Sequence, residues 1–348
     1  RRGGAPPAAE RSGGEGRAPV ASRSMRTPAE WERHERTIMG WPCRTELWGQ
    51  TLAQARSDYA TVANAVAVFE PVTMIANPGA DAEQARSMCS AAVAVVELGI
   101  DDSWLRDSGP IYTVDDEGGR TAVHFGFNAW GERFSPSDRD ARIGGLIAEH
   151  LGDPVVQAPL VLEGGSVIAD GAGTILTTEQ CLLNQNRNPT LSRERIEELL
   201  CEYLGAKRLL WLGRGLVEDR DTDGHVDLIA VYSGARRALL QTVAEGNPNF
   251  EHCQENLARL RAAGVAVVEM PYLPYTEVAG QAVAVSYMNL YICNDAVIVP
   301  VIGASSDAAA LAIIAGEFPG REVVGVPGAV IAYGGGGPHC ITQQVPSV

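Results

Sequence analysis

Four times along this chain a short polar or glycine-rich motif is followed by a strand pattern, a turn, a second strand pattern and a stretch of helical period. The motifs are WLRDSGP at 104–110, EGG at 163–165, DTDGH at 221–225 and SYMN at 286–289. After the first, IYTV and TAVHFGF flank the turn DDEGG, and a helix is expected near 137–150. After the second, SVIA and TILTT flank Asp170-Gly171, a hairpin-turn pair. The helix expected next, near 191–203, starts at Ser192 with Glu194 in its first turn. HVDLIAVY with RRALLQTV, and then LYICNDAVIVPV, repeat the order, with helices expected near 249–263 and 305–316. A fifth motif, GGGGPHC, stands at 334–340. Asp107, Glu163, His225, Asn289 and Cys340 are separated by 56, 62, 64 and 51 residues. A period near 60 points to an α/β fold of repeated units packed around an axis, each unit delivering one loop to a shared centre.

The 348 residues are 45% hydrophobic, enough for a large core. The formal net charge of −15 argues against nucleic acid or an anionic membrane surface as partner, and suits a small cationic substrate. No apolar run reaches the 18 or so residues of a membrane span. The seven cysteines are widely spaced, with no CxxC pair of the kind that holds zinc. They read mostly as buried thiols of a reducing compartment, the cytoplasm. Residues 1–24, rich in Arg, Gly, Pro and Ala, read as a disordered tail ahead of Met25. Residues 25–348 then form a single catalytic domain.

Each motif has an ordinary reading beside its chemical one. Asp107, before Ser-Gly-Pro, is common turn chemistry, and Trp104 and Arg106 beside it suit packing and a salt bridge. Glu163 follows an apolar run and precedes two glycines that admit a ligand or another backbone; otherwise it is a solvated loop carboxylate. His225 and Asp227, two apart, would face the same side of a strand. An imidazole and a carboxylate sharing one pocket suit proton transfer or charge binding. A hydrogen-bonded hairpin histidine is the competing reading, and a His-Asp metal site using Asp221 and Asp223 is a third. Cys340 follows glycines that allow close approach. A buried strand cysteine is its ordinary fate. A cysteine nucleophile with a distant histidine and several carboxylates is the alternative, and the surplus of acids implies a cationic substrate.

Taken together, DDSWLRDSGPIY, FGFNAWGE, LEGGSVIADGAGTILTTEQCLLNQNRNP, DTDGHVD and HCITQQ make the chain resemble the agmatine deiminases of the guanidine-modifying pentein superfamily. The resemblance runs from MRTPAEWERHE at 25–35 through GGGGPHCITQQ at 334–344. It implies a pentein α/β-propeller of about five ββαβ-like units around a pseudo-fivefold axis. It also implies deimination of agmatine to N-carbamoylputrescine and ammonia, a step of polyamine biosynthesis, with no metal and no organic cofactor. In that scheme Cys340 attacks the guanidinium carbon and forms a covalent thiouronium adduct. Asp107 and Asp227 hold the guanidinium nitrogens, His225 moves protons, Glu163 supports it, and Asp221 meets the amine end. Trp104 and Trp130 would stack on the guanidinium or line the methylene chain. The partner is thus a small cationic guanidine, with no nucleic acid and no membrane, and a homo-oligomer is left open.

The chain departs from the family at Asp223 (commonly Asn), at Leu228 (commonly Asn) and at Gly337-Pro338 (commonly Asn-Ile). These departures keep deimination of free or peptidyl arginine as an alternative, with Arg106, Arg133 or Arg214 available for a carboxylate. A non-catalytic guanidine-binding module is a further alternative.

Overall fold

The computed structural model describes residues 25–348, so the expected tail at 1–24 lies outside the described residues. Five of its sheets share one plan: an antiparallel pair, a helix, and a third strand parallel to the second. In the first, Ile111–Asp115 pairs with Arg120–Gly126, helix Asp140–Leu151 follows, and Val155–Val161 returns parallel. The second runs Val167–Ala169, Thr174–Thr178, helix Arg193–Leu204 and Arg208–Leu212. The third runs Ala230–Gly234, Arg237–Gln241, helix Phe250–Ala262 and Ala266–Met270. The fourth runs Tyr291–Ile292, Ala296–Val301, helix Asp307–Glu317 and Glu322–Pro327. The fifth joins the two ends of the described chain. Thr342–Pro346 lies antiparallel to His34–Gly40, helix Leu52–Val66 follows, and Val72–Ala76 and then Val93–Glu97 add in parallel. The physical reason for one helix per unit is the connection. An antiparallel pair closes with a short turn, whereas a parallel neighbour needs a long crossover.

Local chemistry sets the boundaries. Ser192 caps its helix by accepting from the N–H of Arg195 at 3.3 Å. The helix Leu52–Val66 buries Ala55, Tyr59, Val62, Ala63 and Val66, the spacing of one helical face. Tyr59 lies edge-on to Trp48 and to Trp104. Truncating it to alanine costs roughly 3–5 kcal/mol by the usual cost of a buried aromatic, and removes part of the wall behind Trp104. One expected strand is shorter than its pattern. HVDL is not extended: Val226–Leu228 is a 3-10 turn and the strand begins at Ala230. The carboxylate of Asp219 takes the N–H groups of Gly224 and His225 at 2.8 and 3.0 Å, so side-chain hydrogen bonds replace a strand ladder here.

The plan also explains why the five motifs meet. Each directly precedes the first strand of its antiparallel pair: the turn Leu105–Ser108, Glu163, His225 with Asp227, Asn289, and Cys340. Equivalent ends of five units therefore supply all of them. Among the described residues no helix is long and apolar enough to cross a membrane.

Candidate active site

Cys340 is buried, although a loop of four glycines leads to it. The glycines are there because of what they pack against. A Cβ on Gly336 would stand 2.8 Å from both Cys340 Sγ and Trp104 Cζ3. The thiol lines a cleft of about 310 Å³, counted with its part open to solvent, together with Trp104, Asp107, Trp130, Phe134, Asp221, Gly334 and Gly335. Asp227 Oδ2 lies 3.4 Å from Sγ. Burial, with the charges of Asp227 and Asp107, pushes the thiol well above its ordinary range.

Asp107 is held by two donors. The N–H of Gly165 reaches Oδ1 at 2.9 Å and the indole N–H of Trp130 reaches Oδ2 at 2.9 Å. Gly165 must be glycine, since a Cβ would meet His225 Nδ1, Asp107 Oδ1 and Asp227 Oδ2 all within 2.8 Å. This answers the EGG motif: one backbone passes between three functional side chains. Burial raises the Asp107 carboxyl to about 6, the charge on His225 opposing it and the carboxylates of Asp227 and Glu163 adding to it.

The imidazole of His225 is fully buried among acids. Nδ1 is 3.9 Å from Asp107 Oδ1 and 4.0 Å from Asp227 Oδ1, and Nε2 is 3.9 Å from Glu163 Oε2. Burial alone would lower its pKa, but the surrounding charges, Asp107 foremost, hold it well above the ordinary histidine value. Glu163 accepts from Arg187 Nε at 2.6 Å, so its carboxylate is itself braced. Burial raises Glu163, and His225 with Arg187 more than offsets this. His225 and Asp227 do share one pocket as their spacing suggested, but through a tight turn rather than a strand face.

The two tryptophans have different surroundings. Trp104 stacks on Trp48 with ring centroids 5.9 Å apart and lines the cavity. Trp130 lines it too, yet its polar edge is spent on Asp107. Asp221 lies on the same cavity, half-buried, and burial with the charge of Asp219 raises its carboxyl.

Several residues here were not among the candidates. His339 bridges Asp227 Oδ2 and Glu30 Oε1 at 2.8 Å on each side, inside the core. Burial lowers its pKa, but Glu30 and Asp227 more than restore it. Burial also raises Glu30, and His339 with Arg106 overrides this to leave it at about 2. The His339 imidazole thus braces Asp227 from behind. Asn289 of the SYMN motif contacts the thiol directly. The only signals in the sequence were adjacency, His339 beside Cys340, and the 51-residue spacing from Asn289.

The three arginines left open for a substrate carboxylate are all engaged. Arg106 turns away from the cavity toward Gln344 Oε1 (2.7 Å) and the carbonyl of His339 (3.2 Å). Arg133 binds Asp223 and the carbonyl of Arg220. Arg214 lies 3.4 Å from His252 Nε2. Asp223, weighed as a metal ligand with Asp221, is likewise engaged, paired with Arg187 and Arg133. Among the described residues one buried cluster, Glu163, Cys181 and His225, has metal-ligand chemistry with its atoms within 4.8 Å. The guanidinium of Arg187 already supplies the cation to its carboxylate.

A buried thiol, two carboxylates and an imidazole brought together on this α/β scaffold form a set of groups suited to cysteine chemistry. The chain belongs to the Porphyromonas-type peptidyl-arginine deiminase family, whose model matches residues 26–346. It is 39% identical over 358 residues to the agmatine deiminase of Pseudomonas aeruginosa strain LESB58, covering 93% of this chain and 96% of that one. Its fold is similar to the agmatine deiminase of Enterococcus faecalis, a structure described as catalysing its reaction. That match has a TM-score of 0.89 and 32% identity, over 94% of this chain and 98% of the other. It is also similar to a C. jejuni agmatine deiminase, a Cys-to-Ser variant with substrate bound, at TM-score 0.87 and 26% identity. The match covers 95% of this chain and 98% of that one.

Proposed function

We propose that the protein hydrolyses agmatine to N-carbamoylputrescine and ammonia through a thiouronium adduct on Cys340, and that its five sheets are the units of a pentein α/β-propeller around a pseudo-fivefold axis. The observation that carries the reaction is the placing of two buried carboxylates by the Cys340 thiol: Asp227 Oδ2 is 3.4 Å from Sγ, and Asp107 lines the same cavity as Cys340. Two buried carboxylates at a thiol call for a cation that both can grip. A guanidinium held by Asp107 and Asp227 offsets the two charges that oppose the thiolate, and so favours the nucleophile.

The thiolate attacks the guanidinium carbon to give a tetrahedral adduct. His225, charged among its acids, gives a proton to one nitrogen, which leaves as ammonia. The imidazole, now neutral, takes a proton from the incoming water as that water attacks the thiouronium carbon. The C–S bond then breaks as the hydroxyl proton passes to solvent, where it converts the released ammonia to ammonium, leaving the ureido product and the thiolate. Glu163, braced by Arg187, stabilises the imidazolium at Nε2. Trp104 lines the path of the methylene chain, and Asp221 receives the far ammonium. Among the described residues lining the cavity there is no arginine, lysine or histidine. This favours agmatine over arginine, whose carboxylate would need a cation. The seven free thiols suit the cytoplasm.

The deciding assay measures ureido product from agmatine, free arginine and a peptidyl-arginine side by side, with Cys340→Ala as control. The expected result is turnover of agmatine alone and none by the variant. Turnover by Cys340→Ala, or a preference for arginine, overturns the assignment.

A further inference from the structure

We propose that Asn289 is a catalytic residue whose carboxamide N–H stabilises the Cys340 thiolate. Asn289 is buried, and its Nδ2 lies 3.1 Å from Sγ. The orientation of the amide is fixed by its other end. The backbone N–H of Cys340 reaches Oδ1 at 3.2 Å, and an N–H can only donate, so the oxygen faces the backbone and the NH2 faces sulfur. Nδ2 also lies 3.3 Å from the carbonyl of Asp227, and the carbonyl of Asn289 accepts from the N–H of His339 at 3.1 Å. One side chain and its own backbone thus touch the nucleophile, its neighbour and a guanidinium-binding acid.

The rest of the SYMN motif builds this presentation. Ser286 Oγ donates to the carbonyl of Leu228 at 2.7 Å and accepts the N–H of Met288 at 3.1 Å. The N–H of Asn289 closes the turn on the carbonyl of Ser286 at 3.2 Å. Room for the amide comes from Gly337, where a Cβ would stand 2.7 Å from Asn289 Oδ1. This is one of the positions where the chain departs from its family's pattern.

The chemistry gives the amide a purpose. The charged groups around Sγ are Asp227 and Asp107, with the imidazoles of His225 and His339 behind them. The two carboxylates oppose ionisation of the thiol. A neutral donor aimed at sulfur strengthens its bond when the thiol becomes a thiolate, since a bond to a charged acceptor is roughly twice as strong as a neutral one. This rests on Cys340 as nucleophile but not on the choice of guanidine.

The test follows alkylation of Cys340 by iodoacetamide, read by mass spectrometry of its peptide, across pH and without substrate. Asn289→Asp keeps the oxygen that accepts from Cys340 N–H and puts a second oxygen against sulfur. Asn289→Ala removes both contacts. The expected result is a Cys340 titration displaced upward by about one pH unit or more and an alkylation rate at neutral pH at least roughly tenfold lower, in both variants. Should Asn289→Ala fail to fold, Asn289→Asp decides. A Cys340 titration unchanged in Asn289→Asp overturns the proposal and leaves Asn289 a structural clamp. The readout needs no turnover, so a native protein inactive on agmatine would refute the proposed function without touching this result.

Discussion

The indole N–H of Trp130 donates to Oδ2 of Asp107 at 2.9 Å, so an aromatic wall of the cavity is also the residue that aims a carboxylate. Trp130 is itself held edge-on by Phe127 and Phe134, with centroids 5.1 and 5.5 Å away. Its backbone sits at φ 56°, a left-handed conformation that tertiary packing maintains.

That hydrogen bond lowers the Asp107 carboxyl, acting against the burial that leaves it at about 6. Asp107 must be ionised to hold a guanidinium, so kcat/KM falls as the pH drops through that region. Trp130→Phe keeps the ring and removes the donor. The acid limb of kcat/KM should then move to higher pH by up to about one unit, with roughly a tenfold loss on that limb. A profile that superimposes on that of the native protein would show the bond to be incidental.

Asp221 tests the second charge of the substrate. It lines the same cavity as Cys340 and Asp107. Asp221→Asn should cost roughly 2–4 kcal/mol in kcat/KM for agmatine, the scale of breaking a buried charge pair. An n-alkylguanidine with a neutral tail should lose far less. Equal losses on the two substrates would mean that Asp221 does not read the ammonium.

Glu30 links the site to acid stability. Its carboxyl sits at about 2 in the folded protein against 4.5 ordinarily. A lowered value means that its contribution is fully present above 4.5 and is lost as the pH falls toward about 2. Glu30→Gln should therefore lose of the order of 3 kcal/mol at pH 7, and the gap to the native protein should narrow as the pH drops below about 4.5. Urea unfolding at pH 7 and pH 3 measures it. A gap that stays constant across that range would separate Glu30 from the charge on His339.

The remaining thiols divide by location. Cys181 is buried within 4.8 Å of Glu163 and His225, whereas Cys201 is exposed. Cys181→Ser should lower kcat by less than about tenfold, with Cys201→Ser silent, while Cys340→Ala abolishes turnover. Because Arg187 already neutralises the carboxylate of that cluster, prolonged chelation should leave activity intact. Loss of activity on chelation, restored by a divalent ion, would contradict this.

Much of this molecule is written in short range. Turn residues such as Asp170-Gly171 and the cap at Ser192 act within a few positions, so the hairpins and helices were legible in the sequence. The spacing of motifs near 60 residues placed Asp107, Glu163, His225, Asp227 and Cys340 at one centre, because equivalent positions of repeated units converge. What the sequence could not tell is how those groups are braced. His339 between Asp227 and Glu30 spans 309 residues of chain at one contact and 112 at the other. Asn289 on Cys340 is likewise a bond between units, while Arg187 on Glu163 and Trp130 on Asp107 join positions 24 and 23 residues apart within one unit. Such partners are chosen by which side chains the packed sheets bring within about 3 Å, and no local pattern carries that distance. The tertiary structure also decided the fate of the arginines: Arg106 and Arg133 stand beside motifs in the sequence, but folding commits their guanidinium groups to other partners. Burial finally sets the charges, leaving an imidazole charged and a carboxyl near 6, since the cost of desolvation exists only once the chain has closed around them.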